Sequence, residues 1–268
     1  MTNVYLVTGA GSGLGWEAVR QLIDLPSTAR VYALARSPPP ETHPKVNYIE
    51  WDASRPTENL PDGVTFDGVL LNAGGQGPNM VQINLLGHAA LMERLSSQTK
   101  CIVASGSEAP LGVPVPVINW NNFDVDQHLD STKNDGVEYV WVKAMVALYW
   151  SAYARRHTDC HVATVSPGAT TGTNFFRGVP WALRCIAKSL IAVYGSHGVE
   201  EGARRYVEFL TGEREDVASG CFWASRKGYT EDFGDVLDHR NGSHFGNEGL
   251  QDRVYEAVQK RIRSSTES

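Results

Sequence analysis

Short apolar runs alternate along the chain with segments whose apolar residues recur at helical spacing. The runs at 4–7, 31–35, 46–51, 69–71, 101–104, 161–165 and 220–224 predict buried strands. Helical periodicity between them predicts helices at 14–25, 83–95, 139–156 and 200–210. Continuous apolar strands separated by helices are typical of a parallel sheet covered on both faces. The pattern therefore predicts an α/β fold, a single doubly wound Rossmann-type sheet of about seven parallel strands.

The chain of 268 residues shows no internal repeat or linker, so we expect one domain over residues 1–262. The polar residues 263–268 are expected to form a disordered tail. With 42% hydrophobic and 20% charged residues, the composition is that of an ordinary globular protein. The net charge of −6 comes without a basic block, which argues against a nucleic-acid surface.

The four cysteines form no C-x-x-C pair, and none has a histidine at the spacing typical of metal ligands. We therefore expect reduced thiols and no metal site. No signal peptide precedes the first strand, and no apolar run reaches the ~20 residues that span a bilayer. These features predict a cytoplasmic protein without an integral membrane segment.

The first predicted strand ends in a glycine-rich loop that opens a helix. Gly9, Gly13 and Gly15 stand at the spacing Gly-x-x-x-Gly-x-Gly. Glycine lets the backbone approach a pyrophosphate, and a helix N-terminus offers free N–H groups to it. The alternative is a tight strand–helix turn that binds nothing. We expect a dinucleotide site formed by Thr8, Gly9, Gly11, Ser12, Gly13, Leu14 and Gly15.

The end of the second strand indicates which dinucleotide is bound. An NAD site usually has an acidic residue here, but this chain has Ala35 followed by Arg36. A guanidinium suits a 2′-phosphate through charge-assisted hydrogen bonds, so NADP(H) is favoured over NAD(H). The alternative is that Arg36 is a solvated loop residue. After the third strand, Asp52 and Ala53 are assigned to the cofactor site, where Asp52 would bind the adenine amino group or instead cap the next turn.

A Tyr-x-x-x-Lys pair, Tyr139 and Lys143, lies one turn apart on the longest predicted helix. Hydride transfer to a carbonyl leaves an alkoxide that needs a proton, which a tyrosine can give. Because the free pKa of a phenol is ~10, we expect the Lys143 cation to lower it. Taken alone, such a pair on an amphipathic helix is usually a packed ring and a solvated amine, and only the other motifs favour the chemical interpretation.

Together with the glycine loop, further motifs make residues 1 to about 225 resemble the short-chain dehydrogenase/reductase family. The motifs occur in the family's order: Thr8-Gly-x-x-x-Gly-x-Gly15, Asn72-Ala73-Gly74, Ser107, Tyr139-x-x-x-Lys143 and Pro167-Gly168. The segment from Pro167 and the long C-terminal part loosely resemble the branch of retinol dehydrogenases and protochlorophyllide reductases.

The resemblance implies a role for each matching residue. Tyr139 would be the general acid, Lys143 would also hold the nicotinamide ribose, and Ser107 would bind the substrate oxygen. Ser105 is a rival of Ser107, which is preferred because it occupies the family's position. Asn84 resembles the residue that anchors a proton-relay water to the lysine, and the alternative is an ordinary helix cap. The remaining matches, Asn72, Ala73, Gly74, Pro167 and Gly168, are assigned to the cofactor site.

The chain departs from the family's compact members in two places. Residues 110–136 form an inserted segment, which would be a wall of the substrate pocket or a cover over a helix used for oligomerisation. Gly172 stands where the family has a threonine, so Thr171 or Thr173 would contact the nicotinamide amide. Residues 169–196 fall where the family places a substrate lid. An apolar stripe within 178–194 leaves peripheral membrane attachment as the alternative.

We therefore expect an NADP(H)-dependent ketoreductase or alcohol dehydrogenase acting on a fairly apolar small-molecule carbonyl or alcohol. The alternatives are a non-catalytic NADP-binding sensor and a cofactor-recycling epimerase or dehydratase. Sensors in the family typically lose the tyrosine or lysine, and epimerases usually carry a larger C-terminal domain. The apolar circumference of helix 139–156 predicts a homodimer or homotetramer, or a monomer if the inserted segment covers that helix.

Overall fold

The structure, a computed structural model, describes residues 2–55, 60–111, 120, 123–171, 195–214, 217–227, 230–236 and 244–266. The strands are β1 (Asn3–Thr8), β2 (Thr28–Ala35), β3 (Val46–Glu50), β4 (Gly68–Leu71), β5 (Cys101–Ser105), β6 (His161–Val165), β7 (Cys221–Lys227) and β8 (Glu231–Asp235). They form one eight-stranded sheet in the order β3-β2-β1-β4-β5-β6-β7-β8. Strands β1 to β7 pair in parallel, and β8 runs antiparallel to β7. The predicted doubly wound sheet is confirmed, with one additional edge strand.

Helices cover both faces of this sheet. They are α1 (Gly13–Asp24), α2 (Gly87–Leu95), α3 (Val125–Leu129), α4 (Gly136–Arg156), α5 (Val199–Leu210) and α6 (Glu248–Thr266). Helices α1 and α5 pack on one face, where Val19 and Tyr206 are fully buried in one hydrophobic cluster with residues of the sheet. Helices α2, α4 and α6 pack on the other face, where Leu91, Trp150 and Val254 belong to the larger core. A π-helical turn, Gln82–Leu86, precedes α2.

The C-terminal helix α6 was not predicted, and it continues to Thr266, so residues 263–266 do not form the predicted tail. Its buried Leu250, Val254 and Val258 recur every four residues and face the core. Near its end, the Arg261 guanidinium pairs with Asp126 and Asp130 of the α3 region, with both N–O distances at 2.8 Å. These contacts hold the last turns of a helix whose other residues are mostly polar.

Helix α4 is covered by its own chain. The Tyr149 ring stacks on Tyr255 of α6 at a centroid distance of 5.3 Å, and the Gln259 amide donates to the Tyr149 hydroxyl. In the inserted segment, Phe123 stacks on Trp141 at 4.9 Å. The apolar circumference of α4 is therefore accounted for without a subunit interface, and the homo-oligomer stays a prediction.

Several predicted features lie wholly or partly outside the described residues. They include the stripe 178–194, most of the lid, Thr173, and 112–119 of the inserted segment. Among the described residues, Cys101, Cys160 and Cys221 are in the thiol form and not in a disulfide. Within the described part of the chain, no helix is long and apolar enough to cross a membrane.

Candidate functional site

The carboxyl ends of the central parallel strands bring the predicted motifs to one edge of the sheet. Thr8 ends β1, Asn72 directly follows β4, Ser107 lies two residues beyond β5, and Pro167 lies two residues beyond β6. In open α/β sheets, ligands bind in the crevice at this edge. Helix α4 is fixed at its start by Asp135, whose carboxylate accepts from the Glu138 N–H at 2.8 Å.

The glycine loop is closely packed against the start of α1 and the end of β4. A Cβ on Gly15 would lie 2.3 Å from the Gly9 carbonyl oxygen and 2.6 Å from the Asn72 amide nitrogen. Gly9 and Gly13 have φ of 68° and 57°, a region that favours glycine. A Cβ on Gly11 would lie 3.0 Å from the Ser37 carbonyl oxygen, so the loop also touches the residues after β2.

Thr8 and Asn72 shape this loop from beneath. The Thr8 hydroxyl oxygen accepts from the N–H groups of Asn72 and Ala73 at 2.9 and 3.0 Å. The Asn72 side-chain amide donates to the Thr8 carbonyl at 3.1 Å. Both side chains therefore join the ends of β1 and β4, which orients the loop between them.

The residue after β2 is an exposed cation, Arg36, and the carboxylate that follows β3, Asp52, caps a turn. Arg36 follows β2 directly and is exposed. Asp52 accepts from the N–H and hydroxyl of Ser54 at 2.9 and 2.8 Å, as the capping alternative predicts. These hydrogen bonds, helped by the charges of Arg36 and Arg55, lower the pKa of Asp52. Ala53 is buried, and its carbonyl accepts from the Gln82 amide at 2.8 Å.

Ser107, Tyr139 and Lys143 converge at the ends of β5 and α4. Tyr139 is 7% exposed, and the Ser107 side chain lies close enough to its phenol to favour the ionised form. The Lys143 ammonium donates to the Ser105 carbonyl at 2.9 Å and lies 5.9 Å from the centre of the Tyr139 ring. The Ser105 hydroxyl is instead within 2.7 Å of the Tyr206 hydroxyl. Of the two serines, Ser107 is thus the one at the phenol.

Burial dominates the protonation of this pair. It raises the pKa of Tyr139, with the Glu108 carboxylate adding to the rise and the Ser107 hydrogen bond opposing it. The expectation that the pKa of Tyr139 is lowered is therefore wrong for this arrangement, because desolvation of the phenolate outweighs the favourable contacts. Burial also lowers the pKa of Lys143 to about 8. At neutral pH Tyr139 is a protonated acid, and Lys143 is the group of the pair that titrates nearer neutrality.

Asn84 lies inside the π-helical turn and does not cap a helix. Its side-chain oxygen accepts from the Gly75 N–H at 3.1 Å, and its amide nitrogen donates to the carbonyls of Gly75 and Met80 at 3.0 and 2.9 Å. A Cβ on Gly74 would lie 2.5 Å from the Asn84 oxygen, so glycine there allows this approach. Asn84 thus binds the turn to the segment after β4.

The segment after β6 turns sharply at Gly168, whose φ is 75°. The Thr171 N–H and hydroxyl both donate to the His197 carbonyl, at 2.9 and 3.2 Å. The His197 ring contacts the Pro167 carbonyl in return. Thr171 therefore joins this loop to the residues before α5.

A buried carboxylate beside Ser107 was missed by the sequence interpretation. Glu108 is 3% exposed, and its two oxygens accept from the Ser225 N–H at 3.1 Å and from the Ser166 hydroxyl. The Arg205 guanidinium lies 3.7 Å from Glu108 and donates to the Ser225 hydroxyl at 3.0 Å. Burial raises the pKa of Glu108, against the hydrogen bonds and the Arg205 charge.

This Glu108–Arg205 network ties together the ends of β5, β6 and β7 around the candidate site. The available signals were a glutamate three residues after a buried strand and an arginine on the apolar stripe of α5. Because unpaired charges are rarely buried, a charged residue at either position indicates a partner of opposite charge.

No family model matches the chain, and no curated protein matches it. Solved structures do. A short chain dehydrogenase family protein from Francisella tularensis is 16% identical with a TM-score of 0.65, covering 83% of this chain and 96% of that one. An NADPH-dependent 3-quinuclidinone reductase from Rhodotorula rubra is 17% identical with a TM-score of 0.63, covering 85% and 91%. A 4-hydroxyisoleucine dehydrogenase complexed with NADH is 16% identical with a TM-score of 0.61, covering 85% and 99%. The chain therefore has the fold of the short-chain dehydrogenase/reductase structures.

Proposed function

We propose that the protein is an NADP(H)-dependent oxidoreductase that interconverts a ketone or aldehyde and an alcohol on a fairly apolar small molecule. The observation that carries this proposal is the placement of the Tyr139 phenol beside Ser107, with Lys143 one turn away. The similar solved structures include an NADPH-dependent reductase and an NADH-complexed dehydrogenase, which supports oxidoreductase chemistry on this fold.

In this proposal each residue has a separate task in carbonyl reduction. When bound, the nicotinamide supplies the hydride that adds to the carbonyl carbon. Ser107 donates a hydrogen bond to the carbonyl oxygen, and Tyr139 gives that oxygen the proton that completes the alcohol. The raised pKa of Tyr139 keeps the phenol protonated until the stronger base, the alkoxide, forms. Lys143, with its pKa of about 8, then passes a proton back to the phenolate.

The preference for NADP(H) rests on the residues that follow β2. Ala35 ends the strand without an acid, and the exposed Arg36 comes next. The glycine loop approaches the neighbouring Ser37 carbonyl, so Arg36 lies beside the loop that would hold the pyrophosphate. A guanidinium at this place complements a 2′-phosphate. Both NADPH and NADH occur among the similar solved structures, so the fold alone does not decide between them.

The experiment is NADPH oxidation by the wild-type protein with a panel of apolar ketones and aldehydes, followed by Tyr139→Phe on any accepted substrate. We expect turnover by the wild type and a loss of kcat of at least about a hundredfold in the variant, because the proton donor is gone. Tyr153→Phe, on the same helix and fully buried, is the matched control and should stay near wild type. Binding of NADPH without turnover on the whole panel would support the sensor instead.

Three broader expectations remain proposals. They are a cytoplasmic location, a homodimer or homotetramer, and a substrate-binding role for residues 169–196. Light scattering measures the oligomeric state directly. Because α4 is covered by α6 and the inserted segment, a monomer is the alternative outcome.

A further inference from the structure

A buried histidine lies between the base of the glycine loop and the π-helical turn. His88 is 2% exposed, and its ring stacks on Trp51 with a centroid distance of 5.8 Å and an interplanar angle of 8°. Its Nε2 lies 2.9 Å from the Thr8 hydroxyl oxygen. Its ring also lies near the main chain of Asn84, one turn earlier, and this contact opposes the lowering of the His88 pKa.

Counting donors and acceptors at Thr8 fixes the tautomer of this ring. The Thr8 hydroxyl has two lone pairs, and the N–H groups of Asn72 and Ala73 occupy both. Its single proton has two possible acceptors, the Leu70 carbonyl at 3.4 Å and His88 Nε2 at 2.9 Å. The shorter contact is the stronger one, so the hydroxyl donates to Nε2. Nε2 therefore carries no proton.

The protonation of Nδ1 follows from that of Nε2. A neutral imidazole without a proton on Nε2 carries it on Nδ1, which can donate to the Asn84 carbonyl. A charged ring is disfavoured, because it would add a third donor at Thr8 in a buried place. Burial and the nearby Lys143 charge also lower the pKa of His88, to about 3. The hydrogen bonds thus run in one direction, from Thr8 through His88 to Asn84.

We propose that His88 is a positioning residue that couples the base of the dinucleotide loop to the Asn84 carbonyl in the π-helical turn packed against α4. This inference rests on the proposed function. In that turn the Gly87 N–H reaches back to the Gln82 carbonyl, so the local hydrogen bonding differs from that of an α-helix. A side-chain donor at Asn84 would hold its carbonyl in one orientation within the turn that packs against α4.

Two amide variants test the contacts of the two ring nitrogens separately. His88→Asn places an N–H near the Nδ1 position and loses the acceptor for Thr8. His88→Gln reaches the Nε2 position with its side-chain oxygen and loses the donor to Asn84. His88→Leu loses both. We compare kcat for carbonyl reduction and the Kd of NADPH, measured by its fluorescence, across these variants and the wild type.

The proposal expects kcat to depend on the Asn84 end. His88→Asn should keep kcat within about threefold of wild type, whereas His88→Gln and His88→Leu should lose about tenfold or more, as small misplacements in active sites do. The NADPH Kd should rise in His88→Asn and His88→Leu and stay near wild type in His88→Gln. A merely structural histidine would lower kcat equally in the two amide variants, and that result overturns the inference.

The same assay separates this inference from the proposed function. Wild-type turnover that disappears in Tyr139→Phe supports the function whatever the His88 variants do. No turnover by the wild type overturns the function and this inference together. If His88→Leu does not fold, the comparison of the two amide variants decides alone, and unchanged kcat in His88→Gln also overturns the proposal.

Discussion

Replacing Lys143 by Met should stabilise the fold while it removes activity. Lys143 is 4% exposed, and burial lowers its pKa from 10.5 to about 8. That difference corresponds to about 3 kcal/mol of penalty on the charged form in the folded state. Losing the hydrogen bond to the Ser105 carbonyl costs about 1 kcal/mol in return. We therefore expect Lys143→Met to be about 2 kcal/mol more stable at pH 7.

The pH dependence follows from the same shift. Below pH 8 the lysine is protonated in both states, so the wild type bears the full penalty. Between about pH 8 and 10.5 the unfolded chain binds more protons than the folded protein, and the contribution of Lys143 to wild-type stability rises with pH. The advantage of Lys143→Met should therefore shrink across this window and become a deficit of about 1 kcal/mol above it, because the lost hydrogen bond remains.

The assay is chemical denaturation of wild type and variant at pH 7 and pH 10, with carbonyl reduction measured in parallel. Lys133→Met is the control, because Lys133 is exposed, and its change should stay within about 0.5 kcal/mol at both pH values. Activity of Lys143→Met should fall at least about a hundredfold. A variant less stable than the wild type at pH 7, or an advantage that does not change with pH, would refute the reasoning.

Two further predictions concern the cofactor site. Arg36→Ala should raise the Kd of NADPH at least about tenfold and leave that of NADH near wild type, and an unchanged preference would show that the 2′-phosphate assignment is wrong. Gly15→Ala places a methyl group 2.3 Å from the Gly9 carbonyl oxygen, so it should cost about 1–3 kcal/mol and weaken NADPH binding, measured by thermal melting and titration. Gly136→Ala, in the first turn of α4 with open space around it, is the control, and equal losses in both variants would contradict the close-approach argument.

The central sheet could be predicted because most of its strands are continuous runs of apolar residues, which are typical of buried parallel strands. Strand β8 could not, because its sequence Glu-Asp-Phe-Gly-Asp is acidic and pairs only at an edge. Helix α6 is mostly polar, and its apolar stripe is narrow. Its end is held by pairs with Asp126 and Asp130, which are distant in sequence.

At the site, the motifs predicted Ser107, Tyr139 and Lys143 as one group, and the structure places the three side chains near one another. The direction of the Tyr139 shift was wrong because a sequence does not show how deeply a side chain is buried. His88 and Glu108 were missed as parts of the site for a related reason. Their partners, Thr8 and Arg205, lie far along the chain and meet them only through the fold.

Hydride transfer itself tests the central claim most directly. Wild type and Tyr139→Phe are incubated with NADPH deuterated at either face of C4 and with the carbonyl panel, and the alcohols are analysed by mass spectrometry. We predict deuterium at the carbinol carbon from one face with the wild type, and at least about a hundredfold slower labelling with Tyr139→Phe. Unlabelled products throughout, or labelling by Tyr139→Phe at the wild-type rate, would contradict it.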